Sequence, residues 1–299
     1  MLFKNNYFYA QLQKNMALKL TLYTFFHNLL SGTGIGRTKL TRLIIEKMKS
    51  RLIPEYVNWN NFRIYLDATD HFNLTVKPYT IPKIYDNVIK SGDIVVDVGA
   101  NMGIHTLYFS RLVGPNGKVY SFEPDPTNFT LLKKNIMYNQ CNNVILEQKA
   151  VSDKNSKVKL TMDENKSMAG HRISTIDSEK SFVYVDSITL DDYFKNNLQI
   201  NFLKIDAEGY DGYVIKGGHN LILSSKPLNI TLEFHNELIQ RSKMSPKYFF
   251  EQLVKNDLII YDMKNDIPVI TNFEKISKNY DEKKYYLTNL FCTHFKNIF

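Results

Sequence analysis

Residues 94–106 read Ile-Val-Val-Asp-Val-Gly-Ala-Asn-Met-Gly-Ile-His-Thr, and no other segment limits the fold so closely. A short, nearly continuous apolar run is a strand buried on both faces, the kind found in parallel sheets covered by helices. It closes on a turn of small residues, and a helix-patterned segment, Ile104 to Leu112, follows at once. A dinucleotide turn would carry Gly-x-Gly-x-x-Gly, whose middle glycine lets the backbone approach a pyrophosphate. Here the pattern is Gly99-x-Asn101-x-Gly103, with no such glycine in the middle. That favours S-adenosylmethionine (SAM), which has a ribose and an amino-acid tail but no phosphate. The next strand-like run ends in Phe122-Glu123-Pro124, where an acid can accept hydrogen bonds from both ribose hydroxyls. The alternative for residues 94–106 alone is an ordinary strand–turn–helix with two turn glycines, and Glu123 weighs against it.

The alternation continues along the chain. Strand-like runs at Lys118 to Phe122, Val144 to Ala150, Phe202 to Ile205 and Leu228 to Phe234 are separated by helix-patterned segments. These include Thr127 to Asn139, with Pro126 near its start, and Ser187 to Phe194. A helix at Pro246 to Leu253 precedes strands near Leu258 to Tyr261 and Leu287 to Cys292, and Val158 to Thr161 reads as a surface strand. Residues 61–79 suggest short strands, and Ile81 to Lys90 a helix. The polar stretch 162–180 reads as a loop near a pocket. Apolar strands alternating with helices specify an α/β, doubly wound, mostly parallel sheet.

Charge is distributed unevenly. Of the net +8, most lies in the first 60 residues, where nine lysines and arginines face only Glu46 and Glu55. The sequence therefore divides into a basic, helical N-terminal extension, 1–53, and a nearly neutral domain, 54–299. A basic extension can meet anionic lipid, nucleic acid or an acidic partner, and a solvated helix face is the alternative. Met16 to Leu30 is the one candidate membrane element, but it has roughly 15 residues and contains Lys19 and His27, against the ~20 apolar residues of a span. A packed helix is preferred, with peripheral contact at a membrane surface left open. The Gly cluster at 31–36 lacks the Gly-Lys-Ser/Thr ending of a phosphate loop. Two separated cysteines, Cys141 and Cys292, form neither a zinc cluster nor a disulfide framework, which points to a reducing, cytoplasmic setting. The sequence leaves the oligomeric state open.

Ligands in such a sheet bind at the carboxyl ends of the strands. Four strand ends carry acids there: Asp97 before Gly99, Glu123, Asp206-Ala207-Glu208, and Glu233 before His235. Glu208 and Asp211 have helix capping as a competing role. Methyl transfer to an alcohol needs alignment and a place for the acceptor's proton. Asp206, Glu233 and His235 are the candidates for that work. His235 is a candidate base, with a satisfied strand-end histidine as the alternative. Asp206 and Glu233 orient the hydroxyl or, alternatively, hold Mg²⁺ through oxygen. His105 suits positioning more than titration. A nucleic-acid methyltransferase draws support only from the basic extension, and no Asp/Asn-Pro-Pro-Tyr segment for flipped-base methylation is present. A non-catalytic SAM-binding scaffold is the third reading.

With these residues in place, the chain resembles the FkbM family of SAM-dependent methyltransferases. The resemblance is carried by Val95 to Gly103, by Tyr120-Ser121-Phe122-Glu123-Pro124, and most specifically by Leu203-Lys204-Ile205-Asp206-Ala207-Glu208-Gly209-Tyr210-Asp211 followed by Gly217-Gly218. It covers roughly residues 60–295. It implies a class I methyltransferase fold: a seven-stranded, mostly parallel Rossmann-like sheet, last strand antiparallel, with helices on both faces. It implies SAM contacts at Gly99, Asn101 and Gly103 around the amino-acid tail and at Glu123 on the ribose, with Asp97 in the same cofactor motif. Family members are linked to O-methylation of hydroxyls on sugars, glycans or natural products. Asp211 departs from the family's usual Glu. The segment 1–53 lies outside the resemblance.

Overall fold

A computed structural model of the chain describes residues 18–25, 51–67, 74–75, 77, 79–161, 172–173, 182–195, 198–264, 267–281 and 286–295. The Gly cluster at 31–36 and most of 162–180 lie outside the described residues, as does most of 1–53, apart from a helical stretch at 18–25 and residues 51–53. Among the described residues, no helix is long and apolar enough to cross a membrane. Two compact units are present, Met1–Thr80 and Ile81–Phe299. In the first, β1 (Tyr56–Trp59) and β2 (Phe62–Tyr65) form an antiparallel hairpin. Asn60 and Asn61 turn it with φ of 49° and 66°, a left-handed pair suited to the strand twist.

The second unit is built on an eight-stranded sheet. Its strands are β3 (Ile94–Val98), β4 (Lys118–Phe122), β5 (Val144–Glu147), β10 (Phe202–Ile205), β11 (Asn229–His235), β12 (Ile259–Lys264), β13 (Ile267–Ile270) and β14 (Leu287–Thr293). They lie in the order β13-β12-β14-β11-β10-β3-β4-β5. β5, β4, β3, β10 and β11 run parallel, and β14 enters antiparallel between β11 and β12. The seven expected strands are all present, with the last antiparallel. β13 adds an eighth at the edge, joined to β12 as an antiparallel hairpin. Its exposed Ile267, Val269 and Ile270 gave no alternating pattern from which a strand could be read.

A separate four-stranded sheet, in the order β6-β9-β7-β8, consists of β6 (Ala150–Val151), β7 (Ser156–Thr161), β8 (Arg172–Ile173) and β9 (Phe182–Ile188). Two sequence expectations shift here. The third strand of the main sheet stops at Glu147, and Ala150 pairs with Ser187 in the small sheet. The expected helix at 187–194 starts only at α4 (Leu190–Tyr193). Thr189 caps it by accepting the Asp192 N–H, while Ser187 and Ile188 finish β9.

The remaining helices are α1 (Ile84–Val88), α2 (Ile104–Val113), α3 (Pro126–Tyr138), α5 (Asp211–Gly217), α6 (His219–Ser224), α7 (Asn236–Arg241), α8 (Pro246–Lys255) and α9 (Phe273–Asp281). The core on one face of the sheet joins Val96, Val98, Leu203, Ile205, Ile230, Leu232 and Phe234 to Val214, Ile239 and Phe249 from the helices. On the other face, Phe202 packs edge-on against Tyr85 of α1 and tilted against Phe109 of α2, at 5.4 and 5.6 Å between ring centres. From β3 the chain winds outward to β4 and β5, then returns past β3 to β10 and β11. The order reverses between β3 and β10, which opens a crevice at the carboxyl ends of these two strands.

Candidate active site

Paired positions on parallel neighbours project to the same side of a sheet. Across β4, β3, β10 and β11 one such row is Ser121, Asp97, Lys204 and Thr231, four polar residues side by side. Two residues further on in each strand come Glu123, Gly99, Asp206 and Glu233. The ladder runs on to this second row, since Gly99 donates to Phe122 O and Asp206 to Val98 O. The expected residues Gly99, Glu123, Asp206 and Glu233 therefore share one edge of one face, at the switch in strand order.

The lower row is a buried charge network. Asp97 is fully enclosed. The Thr106 hydroxyl donates to its Oδ2 at 2.6 Å and lies 3.0 Å from the Ser121 hydroxyl. Lys204 Nζ stands 3.3 Å from Asp97 Oδ1, 3.4 Å from Asp206 Oδ2 and 3.4 Å from the Gly99 carbonyl oxygen. Asp97 is thus wrapped by protein beneath the pocket, pinning the turn after β3 to β10. Lys204 was not among the site residues read from the sequence. The signal was available: a lysine within Phe-Leu-Lys-Ile can be buried only opposite an acid, and parallel register brings it beside Asp97.

The turn after β3 is shaped by close approach. Gly99 has φ +74°, and a Cβ there would lie 1.9 Å from the Asp206 carbonyl oxygen. Asn101 also sits in the left-handed region, at φ 51°, which asparagine tolerates better than most residues. Its side chain accepts the Met102 N–H at 2.7 Å. Gly103, at φ +92°, begins α2 where a Cβ would meet Leu132 Cδ1 at 2.6 Å. Glu123 closes the other side. Its Oε2 accepts the Asn101 N–H at 2.8 Å and its Oε1 the Asp125 N–H at 2.9 Å. Burial pushes its carboxyl up to about 7, against the opposing pull of those two N–H groups. A carboxylate has about four acceptor positions, and with the Asn128 side chain also hydrogen-bonded to it, acceptor capacity remains for a ribose hydroxyl. Asp125 caps α3, accepting from Thr127 and Asn128. This narrow turn with an acid at its end fits a nucleoside carrying an amino-acid tail.

Further acids lie at the ends of β10 and β11. The Asp206 side chain is 45% exposed, whereas Asp211, at the start of α5, is buried. Asp211 Oδ2 accepts the Gly209 N–H at 3.2 Å, and its Oδ1 has no hydrogen-bond partner among the described residues. Burial, then the charge of Asp206, raises Asp211 to about 7. Glu233 is partly buried at the end of β11. Burial first, then the charges of Asp206 and Asp211, push it up to about 8, while Lys204 pulls the other way. His235 caps α7, its Nδ1 receiving the Leu238 N–H at 3.4 Å, and burial lowers its pKa. In that arrangement the neutral ring carries its proton on Nε2 and presents a donor. His105, at the start of α2, packs against Tyr85 and Phe109, and burial together with the Lys204 charge keeps it neutral.

These acids do not form a cation cage. Among the described residues, no group of three or more His, Cys, Asp or Glu is arranged to hold a metal ion. Lys204 already supplies the positive charge beside Asp97 and Asp206. The residues present do not fit the Mg²⁺ that the sequence left open.

Comparison with known proteins bears on the same segment. A family model described as the methyltransferase FkbM domain matches residues 97–255, which contain both rows. Methyltransferase 1 of Beauveria bassiana is 28% identical over 162 residues, covering 47% of this chain and 65% of that protein. The 31-O-demethyl-FK506 methyltransferase FkbM of Streptomyces tacrolimicus is 40% identical over 65 residues, 22% of this chain and 24% of its own. The chain thus spans between about a quarter and two thirds of the length of these curated relatives. The crystal structure of methyltransferase FkbM from Methylobacillus flagellatus superposes with a TM-score of 0.41 at 14% identity, covering 75% of this chain and 53% of that one.

Proposed function

The chain belongs to the FkbM family of methyltransferases, and on that premise we propose that it is a SAM-dependent O-methyltransferase acting on a hydroxyl of a sugar, glycan or related small molecule. The observation that carries this reading is the upper row: a ribose-type acid, Glu123, at one end, two acids, Asp206 and Glu233, at the other, and the glycine turn between them. SAM supplies an electrophilic methyl group on a sulfonium. Glu123 accepts from a ribose hydroxyl, and Gly99, Asn101 and Gly103 shape the turn around the amino-acid tail. Asp97 serves the cofactor from below, by fixing that turn through Thr106 and Lys204. Asp206 presents an exposed carboxylate, anchored through Oδ2 to Lys204, that orients the acceptor hydroxyl.

Glu233 takes the hydroxyl's proton. Its raised pKa suits a base working near neutral pH. His235 completes the acceptor end as a donor from Nε2. A hydroxyl acceptor agrees with these roles, because a poor nucleophile requires a base where a thiolate would not. The relative named as a 31-O-demethyl-FK506 methyltransferase is named for an O-methyl acceptor. The basic segment 1–53 stands apart from this chemistry as an extension able to touch an anionic surface.

The test is label transfer from methyl-labelled SAM into a glycan and metabolite extract, with nucleic acid as a parallel acceptor. Label in a base-stable ether on a small molecule or glycan supports the reading. Label in nucleic acid alone, or in no acceptor, overturns it.

A further inference from the structure

β14 opens with Leu287-Thr288-Asn289-Leu290, and asparagine is a poor strand former. In the antiparallel register Asn289 lies directly opposite Glu233, and Leu287 opposite His235. Residues directly opposite share a face, so the row of polar strand ends does not stop at β11 but passes onto β14. The ladder also fixes how close these pairs stand. The Asn236 N–H donates to the Tyr286 carbonyl oxygen, which makes the next pair along a hydrogen-bonded one. Hydrogen-bonded and non-hydrogen-bonded pairs alternate, so His235–Leu287 and Glu233–Asn289 are both of the second kind. In such pairs the Cα atoms approach to about 4.5 Å and the side chains are closest. The two faces of β14 are used differently. On one, the Thr288 and Tyr286 hydroxyls both donate to the buried Asp262. On the other, Asn289 is exposed, and its amide makes no hydrogen bond among the described residues. Leu287 beside it is 44% exposed. The amide offers donors and an acceptor, as recognition of a hydroxyl requires, and Leu287 offers an apolar edge next to it.

We propose that Asn289 and Leu287 extend the acceptor site onto β14 and select a vicinal diol, such as a sugar ring carries. Asn289 hydrogen-bonds the hydroxyl on the carbon next to the one being methylated, and Leu287 packs against the C–H surface beside it. This rests on the O-methyl-transfer reading above, in which Glu233 meets the reacting hydroxyl. Glu233 and Asn289 belong to one close cross-strand pair, so the two hydroxyls they meet lie on neighbouring carbons rather than at opposite ends of a large acceptor. Asn289 takes no part in the path of the proton. It determines which acceptors are held, because an acceptor without the second hydroxyl forgoes that hydrogen bond.

The experiment is label transfer by the full chain from methyl-labelled SAM into a glycan and metabolite extract, with the labelled products fragmented by mass spectrometry. The labelled methoxyl is expected on a carbon whose neighbour carries a free hydroxyl, a readout that needs no variant. For the most strongly labelled product, Asn289→Ala is expected to raise the amount of extract that gives half-maximal labelling by roughly fivefold, the worth of one neutral hydrogen bond. The plateau rate and the SAM affinity stay within about twofold of the wild type, since neither depends on that bond. Asn289→Thr, which keeps a donor and an acceptor, recovers most of the loss, and Leu287→Ala raises the same half-saturation several-fold. A methoxyl with no neighbouring hydroxyl, or half-saturation in Asn289→Ala equal to the wild type, overturns the diol subsite and leaves O-methyl transfer standing. Absence of label from every small molecule and glycan with the wild type overturns the O-methyl-transfer reading, and the subsite with it.

Discussion

Gly99→Ala is the sharpest perturbation of the site, because its cost can be separated into two parts. Gly99 lies at φ +74°, where an ordinary residue costs about 1–2 kcal/mol. The new Cβ would also lie 1.9 Å from the Asp206 carbonyl oxygen and 2.8 Å from its carbonyl carbon. These are backbone atoms that no rotamer change can move aside, so the turn after β3 and the loop after β10 must part. Overpacking of this kind costs about 1–3 kcal/mol, and a backbone clash belongs at the upper end. Together they give about 3–5 kcal/mol, or roughly 6–20 °C in melting temperature for a unit of this size. Gly92→Ala supplies the control. Gly92 has φ +92° and nothing within 4 Å of its Cβ position, so only the conformational cost of about 1–2 kcal/mol applies. The assay is urea unfolding of both variants with SAM titration alongside. Gly99→Ala is expected to be the less stable by about 2 kcal/mol or more and to lose SAM affinity, while Gly92→Ala keeps it. Equal unfolding costs, or equal SAM affinities, refute the close approach of the two loops as the determinant of the site.

Other perturbations test the surrounding elements. Lys204→Met leaves Asp97 buried without its counter-ion and is expected to cost about 3–5 kcal/mol in chemical denaturation, with Lys204→Arg costing less. Asp125→Ala removes the α3 cap and costs about 1 kcal/mol by the same measurement. His294 has a pKa lowered by burial, with Nδ1 accepting the Leu228 N–H and Nε2 facing the Asn256 carbonyl. The fold favours its neutral form, so its contribution is complete above the unfolded value near 6.5 and declines as pH falls below that. A melting-temperature series from about pH 8 to about pH 5 should flatten in His294→Gln. Glu233 has the opposite sign. Its raised pKa means that the fold prefers the protonated carboxyl, so its contribution is complete below about 4.5 and is lost as pH rises through about 8. Glu233→Gln is accordingly expected to melt higher than the wild type at about pH 9.

The sequence carried the parallel half of the sheet well because β3 and β10 are apolar apart from one buried charge each, β11 alternates Ile230, Leu232 and Phe234 with polar residues, and all three lead into acids or turns. The expected surface strand at Val158 to Thr161 is β7 of the small sheet, whereas β13 and β9 were not read as strands, for a physical reason. β13 exposes its apolar side chains at an edge, and β9 alternates with a period that short-helix signals at Thr189 and Asp192 partly mask. The shared placement of Glu123, Gly99, Asp206 and Glu233 was legible because strand ends in a doubly wound sheet converge. Two features needed register. Asp97 is turned inward onto Thr106 and Lys204, and His235 is engaged in capping α7 through Nδ1. Sequence proximity to the turn or to the strand end cannot distinguish a side chain facing a ligand from one serving the backbone.

The division of the upper row into a donor end and an acceptor end is tested most directly by titrating SAM into Glu123→Ala and Glu233→Ala side by side. Glu123→Ala removes a carboxylate acceptor at the ribose end and should weaken SAM binding by about tenfold or more, since one charged hydrogen bond contributes about 1.5–3 kcal/mol. Glu233→Ala should still bind SAM within a few-fold of the wild type. Unchanged affinity in Glu123→Ala, or loss of binding confined to Glu233→Ala, would contradict that division.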